Sequence, residues 1–139
     1  KVNEHMETMI PGIFSCGNCL HVHDVVDFVT DEGRLAGHGA AMYLKGELAR
    51  GNKVLVTPKD GISYVVPQEI NRDNQEDVTF KFRVRKPVKD VWLIIESNGE
   101  QVAKIMKPVL IPSEMVMVKL SKDKLDLIKD EVTLRLEAR

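Results

Sequence analysis

Val78-Thr-Phe-Lys-Phe-Arg-Val-Arg85 decides the fold class. In an extended chain, side chains alternate between two sides. Val78, Phe80, Phe82 and Val84 share one side, and Thr79, Lys81, Arg83 and Arg85 share the other. Such a strand buries one face in a core. For the basic side, continued by Lys86, a solvated face is the first expectation and an electrostatic dock for another domain the second. It lacks the interleaved aromatics of a nucleic-acid stripe.

Runs of the same kind recur on both sides: Lys53–Thr57, Ile62–Pro67, Val88–Glu96, Gln101–Lys107, Met115–Leu120 and Glu131–Glu137. Asp60-Gly61 and Asn98-Gly99 are turn dipeptides, and the second predicts a hairpin. Pro67, Pro87, Pro108 and Pro112 fall at run ends, where a missing N–H does least harm. Lys122–Lys129 reads as one or two helical turns. Seven short strands predict a mainly β fold, an immunoglobulin-like antiparallel β-sandwich over residues 51–139. The inter-sheet disulfide of antibody domains is absent, because no cysteine follows Cys19. Trp92 is expected in the core.

Upstream of Arg50-Gly51-Asn52 the period changes. Val25, Phe28, Val29, Ala36, Ala40, Tyr43 and Leu44 recur near 3.6 residues, which predicts a helix within 24–49. Asp24 or Asp27 supplies an N-cap oxygen, Asp27, Asp31 and Glu32 suit the positive helix end, and Gly46 suits the C-cap. Each glycine inside a helix costs about 1 kcal/mol relative to Ala. The small-residue stripe Gly33, Ala36, Gly37, Ala40 is therefore expected to pack closely on a sheet, and direct cofactor contact by the glycines ranks below that. Before the helix lie a short strand ending at Cys16 and a turn on Gly17-Asn18.

The 139 residues suit one domain, or a small domain with an appendage. The 43% hydrophobic and 29% charged fractions are ordinary for a globular protein. A net charge of −1 gives no field to recruit nucleic acid or an anionic membrane. No apolar run reaches the ~18 residues of a membrane span, and Lys1–Gly12 lacks the apolar segment of a signal peptide. The cysteines, Cys16 and Cys19 alone, are too few for a disulfide framework. The cytoplasm, with reduced thiols, is the expected compartment.

Cys16-Gly17-Asn18-Cys19, followed by His21 and His23, admits three chemistries. Cys16, Cys19, His21 and His23 have the softness of zinc ligands, though four donors within eight residues close poorly around one ion. A C-x-x-C lowers a thiol pKa when it opens a helix, but this helix starts later. The third reading is a buried strand end at Cys16 with an incidental second thiol. His21 and His23 share a face of an extended segment beside Asp24, which suits a proton donor or anion contact. His5 and His38 carry no functional expectation.

Thr8, Pro11-Gly12-Ile13-Phe14, Cys16-Gly17-Asn18, Val25-Val26, Glu32-Gly33-Arg34 and Ala40-Ala41 form a pattern. Over Thr8–Leu44 this pattern resembles the last flavin-contacting segment of pyridine nucleotide-dependent flavoprotein oxidoreductases, within them the anaerobic glycerol-3-phosphate dehydrogenase-like branch. The resemblance implies FAD contact at Gly17 and Asn18, where Asn18 stands in place of the family's acid. It also implies that the backbone of Val26, Asp27 and Phe28 faces the flavin, where a helix N-terminus stabilises the reduced ring. His23 then lies near the ring as the catalytic candidate.

The family's N-terminal glycine-rich fingerprint is missing. The chain is therefore expected to be the C-terminal part of a cytoplasmic FAD-dependent, NAD(P)-linked oxidoreductase. Residues 1–50 would complete the flavin site, and 51–139 would form an accessory or docking β-domain. The fragment alone is expected to be inactive and to bind no cofactor. Its partners are the remainder of the flavoprotein chain and a partner subunit, with no nucleic acid. Deprived of the family's sheet, residues 1–50 are expected to be loose or swapped between copies. The rival expectations are a self-standing β-sandwich interaction module and a small Cys/His metal-binding domain.

Overall fold

Backbone pairing gathers the alternating runs into two sheets. The computed structural model describes every residue, Lys1–Arg139. After a 3₁₀ turn at Gly17–Cys19 and a helix α1 (Val26–Lys45) come β1 (Lys53–Pro58), β2 (Ile62–Val66), β3 (Glu69–Asn71) and β4 (Val78–Val84). β5 (Val88–Ser97), β6 (Glu100–Leu110), β7 (Val116–Leu120), a single helical turn α2 (Lys122–Leu125) and β8 (Glu131–Ala138) follow. One sheet has the order β3-β1-β8-β5-β6 and the other β2-β4-β7. The fold is mainly β.

Pairing is antiparallel except between β1 and β8, which run parallel from Leu55 opposite Glu131 to Pro58 opposite Leu134. The larger sheet is therefore mixed rather than wholly antiparallel. A parallel pair needs a long crossover, and all the chain between these two strands supplies it. β3 has no sequence signature, since three residues with two polar side chains show no period. Proline 108 lies inside β6 rather than at its end, which is tolerated because β6 is an edge strand.

Twenty buried residues form one core between the sheets. Phe80 and Phe82 are 0% exposed there, and burying each contributes about 1.5–3 kcal/mol. Trp92 is not in that core. Val91, Leu93 and Ile95 take the inward positions of β5, so Trp92 is half-buried on the other side. Its ring lies under the Lys104 ammonium, 4.8 Å from the ring centroid. The Asn98-Gly99 hairpin forms as expected, with φ of 49° and 81°.

Residues 1–50 lie ordered against the sandwich of their own chain, which corrects the expectation of a loose arm. The Val2 N–H donates to Gln68 Oε1 at 2.8 Å. Asn71 donates its backbone N–H and its Nδ2 to Glu4 at 3.0 and 3.1 Å. Arg50 Nη1 donates to Glu7 Oε1 at 2.7 Å. Val2, Met6, Ala36 and Val66 close a second small core. The strand expected before Gly17 is absent: only isolated bridges, Val2 with Thr8 and Glu7 with Phe14, tie that segment. Asn3 Oδ1 accepts the N–H groups of His5 and Glu7 and folds the chain back on itself.

Gly46 ends α1 with φ 70° and donates its N–H to Tyr43 O. The N-cap is Val25, with no side-chain cap bond, because Asp24 is engaged elsewhere. The close approach of α1 is at Gly39, where an added Cβ would meet His5 O at 2.8 Å. Of the expected stripe, Ala36 is buried in the second core and Ala40 is half-buried, whereas nothing lies within 4 Å of such an atom at Gly33 or Gly37.

Candidate functional site

Glu32 is the centre of the most concentrated polar cluster. Its position in the second turn of α1 aims it at the N-terminal segment and at β4, and it is only 1% exposed. Oε1 accepts the Gly17 N–H at 2.9 Å. Oε2 lies 2.9 Å from His21 Nε2, 3.2 Å from His23 Nε2 and 2.9 Å from Lys81 Nζ. Burial alone would raise the Glu32 pKa. The His21 and Lys81 hydrogen bonds and charges overcome it and hold the group at about 2. The carboxylate is therefore ionised at neutral pH.

Lys81 comes from the polar side of β4, the stripe first expected to be solvated. That expectation is corrected for two of the four basic residues: α1 covers Lys81, and the neighbouring Arg83 binds Asp24 and the Val22 carbonyl, while Arg85 and Lys86 are exposed as expected. Asp24 Oδ2 also accepts the Met115 N–H at 2.6 Å. Burial opposes ionisation of Asp24, but the Met115 N–H and Arg83 prevail and lower its pKa. Lys81 and Arg83 thus form an electrostatic dock for residues 22–32 of the same chain.

His21 Nδ1 lies 3.3 Å from the Tyr64 hydroxyl, so both its ring nitrogens have polar neighbours. The His23 side chain is 0% exposed. Its Nε2 lies off the axis of a hydrogen bond to Glu32, so neither ring nitrogen has a partner. Burial lowers the His23 pKa despite the adjacent Glu32, which keeps the ring neutral.

The cysteines stand apart from this group. His21, His23 and Glu32 offer donor atoms within 4.8 Å of one another, without either thiol. Cys19 Sγ donates to the Cys16 carbonyl at 2.9 Å. Burial, with the nearby Glu32 and Cys19, pushes the Cys16 thiol up, away from a reactive thiolate. Cys16 ends no strand, since no ladder forms there.

The residues implied as flavin contacts lie at one end of the arm. Gly17 is buried with φ 68°, and Asn18 is exposed. The Gly17 N–H is committed to Glu32, and Asn18 Oδ1 accepts the His23 N–H at 3.2 Å. Val26 and Asp27 are exposed in the uncapped first turn of α1, with Phe28 half-buried behind them. Glu32, Lys81 and Tyr64 carried no site signal in the sequence. They lie 49 and 32 residues apart from helix to strands, so only folding brings them together. His5 is buried with Nδ1 unpartnered, and His38 meets Glu76 at 3.1 Å on the surface.

A protein of Methanocaldococcus jannaschii described as an NADH oxidase is similar to this chain, with 40% identity over 52 residues. The match covers 37% of this chain and 11% of that protein, so the chain spans about a tenth of that relative's length. No protein-family model and no solved structure matches significantly. No helix is long and apolar enough to cross a membrane.

Proposed function

We propose that this chain is the C-terminal part of a cytoplasmic FAD-dependent, NAD(P)-linked oxidoreductase of the anaerobic glycerol-3-phosphate dehydrogenase-like branch. Residues 1–50 complete its flavin site, and 51–139 form an accessory β-sandwich that docks the arm or a partner subunit. The observation that carries this reading is the 52-residue similarity to an NADH oxidase nine times the length of the match.

The arm fits the flavin in part. The α1 N-terminus is open: its cap is Val25, no side chain blocks it, and Val26 is 73% exposed. An anionic ring edge is stabilised at such an end. Asn18 has its amide N–H₂ left for a hydroxyl or phosphate, whereas the Gly17 N–H is already taken by Glu32. The flavin supplies the hydride chemistry when bound. The chain's own task is to hold that end of α1 in place through Glu32–Lys81 and Asp24–Arg83. Exposed Val22, Val25 and Val26 surround it, an apolar rim suited to the remainder of the flavoprotein.

The test uses the full-length product of the encoding gene beside this chain. The full-length protein is expected to purify with a flavin spectrum and to oxidise NADH or NADPH, while the chain alone does neither. A full-length protein that carries no flavin and takes up none refutes the reading. The arm's anchoring within one chain favours a second reading, a self-standing interaction module. That reading requires residues 51–139 to bind a protein partner with no flavoprotein present.

A further inference from the structure

The donors of His21, His23 and Glu32 lie close enough together to share one metal ion. In tetrahedral zinc sites, bonds of about 2.0–2.2 Å place neighbouring ligand atoms ~3.4 Å apart. Here Glu32 Oε2 is 2.9 Å from His21 Nε2 and 3.2 Å from His23 Nε2. All three side chains offer donor atoms within 4.8 Å of one another.

The supporting hydrogen bonds are also in place. A ligating histidine normally donates its other N–H to an oxygen that fixes the ring. The Tyr64 hydroxyl stands 3.3 Å from His21 Nδ1 in that position. The Gly17 N–H holds Glu32 Oε1 and leaves Oε2 for an ion. A structural ion pair accounts for His21 and Lys81 but not for His23. Its side chain is fully buried, its Nε2 stands 3.2 Å from Oε2 but off the axis of a hydrogen bond, and neither ring nitrogen has a partner.

The geometry points to a divalent transition-metal site formed by His21, His23 and Glu32, with Lys81 as a built-in competitor for the metal. Lys81 Nζ is the cation now facing Oε2, at 2.9 Å. It also lines a groove of about 460 Å³ between α1 and the β4–β7 sheet, into which the ammonium has room to swing. Two imidazoles and one carboxylate suit zinc, cobalt or ferrous iron, with a fourth position open. This site does not depend on the flavin reading and is testable on the chain alone.

Tag-free chain is titrated with Zn²⁺ and with Co²⁺, followed by calorimetry and absorption. One equivalent should bind, giving visible cobalt bands without thiolate charge transfer. His21→Gln and His23→Gln should each weaken binding by at least about tenfold, the loss typical of disturbing even an outer-shell partner. Lys81→Met should tighten binding by about tenfold or more, because a like charge at this range disfavours a cation by that factor. Zn²⁺ should also raise the thermal midpoint of Lys81→Met by more than that of the wild type. Cys16→Ser and Cys19→Ser should change nothing. The inference is overturned if neither wild type nor Lys81→Met binds at millimolar metal. It is overturned equally if binding survives loss of both histidines or disappears with the cysteines.

Discussion

Replacing Lys81 by Met removes the cation that neutralises Glu32 and leaves its neighbours in place. At 2.9 Å and an effective dielectric of 20, the attraction is about 6 kcal/mol. Desolvation of both ions offsets much of it, and removing one partner of a buried pair costs about 3–5 kcal/mol. Glu32 keeps His21 and the Gly17 N–H, so the lower end applies, about 3 kcal/mol. Against a total stability on the order of 10 kcal/mol, that should lower the thermal midpoint by about 10 °C. Urea unfolding at pH 7 reads the loss with two probes, helical ellipticity for α1 and Trp92 fluorescence for β5. The double variant Glu32→Met/Lys81→Met leaves no buried unpaired charge and should be clearly less destabilised than the sum of the two single variants, its remaining loss including about 1–3 kcal/mol for the orphaned Gly17 N–H. A single variant within ~0.5 kcal/mol of wild type, the range of ordinary surface changes, would refute the assigned role. So would a double variant as unstable as the sum of the singles.

Acid should release the arm through the same carboxylate. The fall in the Glu32 pKa from 4.5 to about 2 corresponds to about 3 kcal/mol. Because the folded-state value is depressed, that stability is present above pH 4.5 and lost as pH falls towards 2; Glu32→Gln should flatten this part of a stability–pH curve. Asp24→Asn should cost about 1–2 kcal/mol in urea unfolding by weakening the Arg83 and Met115 contacts. Gly39→Ala should destabilise by about 1–3 kcal/mol through overpacking against the His5 carbonyl. Gly37→Ala should stabilise by up to about 1 kcal/mol in the same thermal assay, since its Cβ meets nothing.

The strands were legible because a period of two states which side of a strand is apolar, and Phe80 and Phe82 occupy the core it assigned. The same period says nothing about what covers the other side. Lys81 and Arg83 therefore read as solvated, although each faces an acid 49 or 59 residues upstream. Glu32 was legible as a helix-dipole residue and not as the hub of a cluster, since its four polar neighbours, Gly17 N, His21 Nε2, His23 Nε2 and Lys81 Nζ, are assembled by tertiary docking. The small-residue stripe packs at Ala36 but not at its glycines, for a related reason. Small residues state that close approach is possible on a face, and only packing shows that Gly39 is used while Gly33 and Gly37 remain open. His21 and His23 were singled out by alternation in an extended segment, and they do converge, with ring centroids 4.4 Å apart. Their convergence on a carboxylate, rather than on the nearby cysteines, follows from α1 lying over β4. That placement makes one buried charge pair, Glu32 with Lys81, the hinge between the arm's position and any chemistry at its end. A variant that frees the arm should therefore disturb the exposed α1 N-terminus and the histidine cluster together.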